Sequence, residues 1–266
     1  MAGKFIENLI TRIGSERQLR YERKRNVSLK QDYKHLVIIT YGRSGSTVLQ
    51  SVLNSCPGVL IRGENHNVVR HLQDYSETLA RVSKEHGVAV ATDKDHPWHG
   101  AHLVSSKGAL NSLRKTFYES VLNPEEDTET IGYKEIRYTH GHFETYEEML
   151  KNLMFLNELL PNVRYLVNVR DAAKTAASGW WRLEEGAEQR LSTSREWLER
   201  AVLDINKELG SGRAFLVSYD EWANNTEKMC QILDDLGIEY DKKVVDSVVH
   251  TKLRHMENYG LQELRQ

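Results

Sequence analysis

Cysteine is nearly absent from this chain: Cys56 and Cys230 are its two thiols, too few for a disulfide framework. Proline is scarce too, at 4 among 266 residues. No Pro/Gly/Ser-rich linker divides the chain, so one domain with one substantial core is expected. Excess charge of either sign is missing. The 36 Lys and Arg against 38 Asp and Glu leave a net charge of −2, which argues against a nucleic-acid partner, whose binding face would be broadly basic. No apolar run approaches the ~20 residues of a membrane span, and no signal-peptide core precedes the body. A cytoplasmic protein without a membrane span is therefore expected. Internal repeats and low-complexity tracts are also lacking.

What the chain does carry is a strand, a Gly/Ser-rich turn and a helix in immediate succession. The apolar run Leu36-Val37-Ile38-Ile39 leads into Tyr41-Gly42-Arg43-Ser44-Gly45-Ser46-Thr47, followed by Val48-Leu49-Gln50-Ser51-Val52-Leu53. Such a turn aims free backbone N–H groups and the positive end of a helix dipole at one point, which suits a phosphate. It is not a Walker A loop, which needs two glycines five apart followed by Lys-Ser/Thr. Arg43 and hydroxyls stand where that loop has its lysine and magnesium ligand, which favours an anionic group handled without metal.

A second motif lies between residues 163 and 182. Val163–Val169 is a β-branched, largely apolar run that reads as a buried parallel strand, ended by Arg170. Asp171 through Arg182 opens on an N-cap residue and is alanine-rich, so it reads as one helix carrying Ser178 two turns in. Arg170 and Ser178 can then converge on one side.

The first loop has the form of the 5′-phosphosulfate loop of sulfotransferases, and the Arg170-to-Ser178 spacing is similar to their 3′-phosphate motif. Four further blocks resemble soluble members of that family, with the likeness running from about residue 35 to 240. They are Gly63-Glu64-Asn65-His66-Asn67, His96-Pro97-Trp98-His99-Gly100-Ala101, Ile131-Gly132-Tyr133-Lys134-Glu135-Ile136-Arg137-Tyr138 and Ser178-Gly179-Trp180-Trp181. The resemblance implies a single α/β domain over residues 31–266 with a P-loop-NTPase-like fold, a central parallel sheet flanked by helices. It implies 3′-phosphoadenosine 5′-phosphosulfate as donor and 3′-phosphoadenosine 5′-phosphate as product, with no metal and a small-molecule acceptor. Natural-product tailoring enzymes, including those of cationic guanidinium alkaloids, are among such family members. A homo-oligomer is compatible with all of this. The rival readings are a P-loop small-molecule kinase, disfavoured by the missing Walker lysine, and a non-catalytic nucleotide-binding module.

The resemblance assigns Arg43, Ser44, Gly45, Ser46 and Thr47 to the 5′-phosphosulfate, Arg170 and Ser178 to the 3′-phosphate, and Tyr219 to the adenosine. An aromatic that stacks on the base in many relatives is replaced by Val48. Sulfuryl transfer needs a base for the acceptor and charge stabilisation of the departing phosphate. Glu64, just beyond the strand-like Val59-Leu60-Ile61, is the first candidate base, with Glu135 and His66 as alternatives. Lys134 is a candidate leaving-group stabiliser, and Arg137 an anion contact. The run Asp93–His102 holds His96, His99 and His102, but Pro97 and Gly100 break the helix that would align them on a metal. It reads better as an acceptor loop with Trp98 as a flat wall. Asp93, Asp95, Glu64 and Glu135 would favour a cationic acceptor if they converge.

Helices are expected over 66–84, 107–122, 143–160 and 194–209, strands at 131–134 and 213–217, and a helix from there to about 236. Residues 1–30 form an arm in which Phe5, Ile6, Leu9, Ile10 and Ile13 share a helical face before a basic cluster, Arg20, Arg23, Lys24 and Arg25. This pattern suits packing on its own domain, or a membrane or partner surface. Lys252-Leu253-Arg254-His255 stands where relatives contact the 3′-phosphate, without their usual Arg-Lys-Gly.

Overall fold

The computed structural model describes residues 32–87 and 92–251. The N-terminal arm and Lys252–His255 lie outside them. Strands and helices alternate as expected: β1 (Lys34–Ile39), α1 (Ser46–Asn54), β2 (Val59–Arg62), α2 (Val68–His86), α3 (Ser106–Phe117), β3 (Thr130–Glu135), α4 (Tyr146–Leu159), β4 (Arg164–Val169), α5 (Ala172–Ala176), α6 (Ala187–Leu209), β5 (Ala214–Ser218), α7 (Tyr219–Trp222), α8 (Thr226–Asp235) and α9 (Lys242–His250). The strands form one five-stranded sheet, all parallel, in the order β2-β3-β1-β4-β5.

Parallel neighbours need crossover helices, which cover both sheet faces and make the strands apolar on both sides. Val37, Ile39, Ile131, Tyr133, Tyr165 and Val167 pack into one core, and Leu36, Ile38, Ile61, Leu166 and Val217 into the other. Fully burying an aliphatic side chain of this size stabilises the fold by about 1.5–3 kcal/mol. At Gly132 a Cβ would overlap the Leu36 carbonyl oxygen, so the centre of the sheet closes only around glycine. Successive strands are added on one side of β1 and then on the other, so the loop after β1 sits where the strand order reverses. Ligands of open α/β sheets bind at that point, outside the carboxyl ends of the strands.

Two stretches differ from the sequence reading. The segment from Asp171 to Arg182 is not one helix. Asp171 does cap α5, its side chain accepting from Lys174 N at 2.8 Å, but α5 stops at Ala176. Ser178 is extended, Gly179 turns at φ 58°, and Gly179–Leu183 forms a 3-10 turn. The cause is packing: Trp181 is buried with its indole N–H donating to Gly42 O at 3.0 Å, a contact that a continuous helix would forgo. The helical stretch expected to run to about 236 is likewise split into α7 and α8, with Asn224 at φ 55° between them.

Candidate active site

The anion loop hangs from the carboxyl end of β1. Arg43 and Gly45 adopt left-handed conformations, φ 66° and 80°. Gly45 precedes α1, and no side chain caps that helix, which leaves its first N–H groups for a ligand. A Cβ on Gly45 would overlap the Tyr219 ring, and one on Gly42 would overlap Trp180. The loop therefore fits between two aromatic rings only because both residues are glycine.

Beneath it lies a buried polar scaffold. Thr40 Oγ1 donates to Asn168 O at 2.6 Å and lies 2.7 Å from Ser44 Oγ. With the threonine proton committed, the Ser44 hydroxyl is the donor of that pair. Ser44, fully buried, thus braces the loop with its side chain. Asn168 Nδ2 donates to Ser44 O at 2.9 Å, and Trp222 Nε1 donates to Asn168 Oδ1 at 3.0 Å. The Tyr41 hydroxyl accepts from Arg170 N at 2.8 Å and donates to Arg170 O, tying the β1 loop to the end of β4. Burial pushes that hydroxyl up to about 12, so it stays a donor at neutral pH. The sequence reading gave no role to Thr40, Tyr41, Asn168, Trp181 or Trp222, although Tyr41 and Trp181 stand within its motifs. An asparagine inside an apolar strand and a Trp-Trp pair after a glycine were the available signals.

Arg43, Arg170 and Ser178 come together despite the broken helix. Arg43 Nε donates to Ser178 Oγ at 3.4 Å, and Arg170 Nη1 donates to Arg43 O at 3.0 Å. The Arg170 guanidinium lies 4.7 Å from the centre of the Tyr219 ring, and that of Arg43 5.9 Å from Trp180. Arg170 Nε is buried with no hydrogen-bond partner among the described residues. An unpaired buried donor on a charged group is costly, and an anion would satisfy it.

The carboxylates gather on the other side of β1. Arg62 is in register with Tyr133, so two residues further on Glu64 arrives beside Glu135. Lys134, with a side chain 6% exposed, donates to Glu64 Oε1 at 2.6 Å and to Thr47 Oγ1 at 3.5 Å. It therefore bridges the carboxylate and the anion loop. The Glu64 side chain is 33% exposed, and its Oε2 lies 3.8 Å from Arg137 Nη1. Glu135 is fully buried and accepts from Arg137 Nη1 at 2.8 Å.

The acceptor-loop residues are not brought to this cluster. The Trp98 ring stacks on His86 with centroids 3.6 Å apart, and His86 ends α2, whose first residue is Val68. A helix of 19 residues spans roughly 27 Å, so Trp98 is far from Glu64. His96 Nδ1 accepts from Trp98 N at 3.1 Å, within its own turn, and His99 lies in the same turn. His66 stands two residues after Glu64 and is exposed, at φ 58°. Asp93 and Asp95 belong to the Trp98 segment and do not join Glu64 and Glu135 in one acidic patch. Among the described residues no three His, Cys, Asp or Glu side chains are grouped to hold a metal, and no helix is long and apolar enough to cross a membrane.

The fold has a counterpart among solved structures. The sulfotransferase domain of the olefin synthase of Synechococcus PCC 7002 superposes with a TM-score of 0.51 at 16% identity, over 91% of this chain and 87% of that one. The sulfotransferase domain of the curacin biosynthetic pathway gives 0.49 at 13% identity, over 84% and 79%. A sulfotransferase from Alicyclobacillus acidocaldarius gives 0.43 at 11% identity, over 87% and 100%. No curated protein matches the sequence. The model of the Sulfotransferase family matches residues 36–242, most of the chain, and the protein belongs to that family.

Proposed function

We propose that the protein transfers a sulfuryl group from 3′-phosphoadenosine 5′-phosphosulfate to a hydroxyl, or less readily an amine, of a small-molecule acceptor, releasing 3′-phosphoadenosine 5′-phosphate. The observation that carries this reading is the buried, unpartnered Nε of Arg170 next to Ser178, Arg43 and the anion loop. Two arginines joined at one loop, Arg170 Nη1 donating to Arg43 O, favour a ligand with two separate anionic groups. Arg170 and Ser178 hold the 3′-phosphate, and the backbone of residues 44–47 with Arg43 holds the 5′-phosphosulfate. Tyr219, against Gly45 and under Arg170, lines the adenosine side.

Glu64 is the base. Its carboxylate is partly exposed and adjoins the anion loop through Lys134, so an acceptor hydroxyl can reach it and pass on its proton. Lys134, shared between Glu64 and Thr47, neutralises charge on the equatorial oxygens during transfer, and Arg43 does so on the departing phosphate. This scheme meets the charge with Arg43, Lys134 and Arg170 and calls on no metal. Lys134 and Arg137 offset the two carboxylates, so a neutral or anionic acceptor fits better than a cationic alkaloid. Two buried free thiols, Cys56 and Cys230, suit a reducing cytoplasm.

Calorimetry separates the readings. 3′-Phosphoadenosine 5′-phosphate should bind without magnesium, and ATP with magnesium should bind far more weakly. The reverse order would make the protein a kinase-type nucleotide binder.

A further inference from the structure

We propose that Glu135 is a positioning residue, a buried carboxylate that holds the Glu64–Asn67 turn and restrains Arg137, so that Glu64 faces the acceptor with Lys134 as its close partner and Arg137 held back at 3.8 Å. The proposal rests on the reading of Glu64 as base. Glu135 Oε2 accepts from Asn65 N at 3.3 Å and Asn67 N at 2.8 Å. Its Oε1 accepts from Ile136 N at 3.0 Å, Arg137 N at 3.2 Å and Arg137 Nη1 at 2.8 Å. Five donors on a fully buried carboxylate leave no lone pair for an acceptor hydroxyl, which separates Glu135 from the role that Glu64 can fill.

The turn needs such a clamp. His66 and Asn67 both have left-handed backbones, φ 58° and 50°, a region that Asn and His enter more readily than other side chains but that still costs energy relative to glycine, here at two successive residues. The N-cap residue Asn67 does not cap α2 with its own side chain, and Asn65 Oδ1 accepts from Val68 N at 3.1 Å. The clamp comes from Glu135, which binds the N–H groups on either side of His66 and places its charge at the positive end of that helix. A second tie fixes α2 further along: Tyr138 OH donates to Asn152 Oδ1 at 2.9 Å, and Asn152 Nδ2 donates to Gln73 Oε1 at 2.7 Å. All three residues are buried.

Arg137 is the second part of the device. Its Nη1 sits 2.8 Å from Glu135 and 3.8 Å from Glu64. In Glu135→Gln the guanidinium loses that carboxylate and is free to close on Glu64 as a second cation. The charged groups facing Glu64 are then Lys134 and Arg137. Around Glu135 stand Arg137, His142 and the hydroxyls of Tyr133 and Tyr138.

The test is single-turnover hydrolysis of 3′-phosphoadenosine 5′-phosphosulfate with water as acceptor, followed across pH, beside the affinity for 3′-phosphoadenosine 5′-phosphate. Glu135→Gln should bind the product nucleotide within about threefold of the parent. Its rate should fall roughly 10–100-fold through a displaced base, and the acid limb of its rate profile should move to lower pH. A loss of packing alone would leave that limb in place. Adding His66→Gly, which removes the left-handed strain, should recover part of the rate. Should Glu135→Gln not fold, Glu135→Asp, one methylene short of the Asn67 N–H, gives the same readouts. Parent-like rate and limb in Glu135→Gln beside an inert Glu64→Gln would overturn the positioning role alone. Full activity in Glu64→Gln would overturn the base reading itself.

Discussion

Gly45→Ala tests how the anion loop is built. Gly45 holds φ 80°, and a methyl group there would overlap the Tyr219 ring. An alanine forced into the left-handed region costs about 1–2 kcal/mol, and accommodating a group in a packed space costs a further ~1–3 kcal/mol. A total near 3 kcal/mol corresponds to a drop in Tm of roughly 6–12 °C for a chain of this size. The Tyr219 ring cannot retreat freely, because it meets Trp222 edge-on with centroids 4.9 Å apart and carries the Arg170 guanidinium on its face. Displacing the ring therefore disturbs Arg170, and affinity for 3′-phosphoadenosine 5′-phosphate should fall at least tenfold. Gly63→Ala is the control: nothing lies within 4 Å of its added methyl, and its backbone is not left-handed. Its Tm and nucleotide affinity should stay at the parent's values. Thermal melts and calorimetry on the three proteins read both quantities. A Gly45→Ala protein that melts with the parent and binds nucleotide equally well would refute the packing of Tyr219 on the loop.

Arg43→Ala should lower turnover of the sulfuryl donor by roughly two to three orders of magnitude, the range seen when one transition-state charge contact is lost, with a smaller loss of product-nucleotide affinity; near-normal turnover would remove Arg43 from the chemistry. Glu64→Gln should keep nucleotide affinity while turnover falls by roughly two to four orders of magnitude, read from rates and calorimetry on the same preparation. Stability should fall as pH drops below the ordinary histidine value near 6.5, because burial lowers the pKa of His35 in the folded state and the unfolded chain binds the proton more readily. His35 sits between Pro161 O and the Tyr118 hydroxyl, and denaturant melts from pH 7.5 to 5.5 should show a shallower slope for His35→Gln than for the parent. An unchanged slope would clear His35 of that dependence.

The fold was largely legible in the sequence, because apolar runs of strand length alternating with amphipathic helices leave few arrangements other than a covered parallel sheet. The anion loop and the placing of Glu64, Lys134 and Arg137 were legible for the same reason: each lies at or just past the end of a strand, and parallel strands deliver their carboxyl ends to one edge. Tertiary packing decided the rest. Alanine-rich 171–182 had the local propensity of a helix, yet burial of Trp181 beneath Gly42 broke it at Ala176. Ser44 was read as a ligand donor from its place in the loop, while the proton of Thr40, set by Asn168, turns its hydroxyl into the scaffold. Trp98 was placed beside the acceptor by its neighbours in sequence, whereas its ring stacks on His86, at the end of α2 away from Glu64. Whether a carboxylate is base or clamp depends on how many N–H groups surround it. Glu64 and Glu135 look alike in the sequence, and only their hydrogen bonds tell them apart.

The most direct test of the central claim is the affinity of the protein for 3′-phosphoadenosine 5′-phosphate against adenosine 5′-phosphate, measured side by side on the parent and on Arg170→Ala. A charged hydrogen bond to the 3′-phosphate is worth about 1.5–3 kcal/mol, so the parent should prefer the bisphosphate by roughly 10–150-fold. Arg170→Ala should lose most of that preference by weakening only the bisphosphate. Equal affinity of the parent for the two nucleotides would contradict the 3′-phosphate site, and with it the donor assigned to this protein.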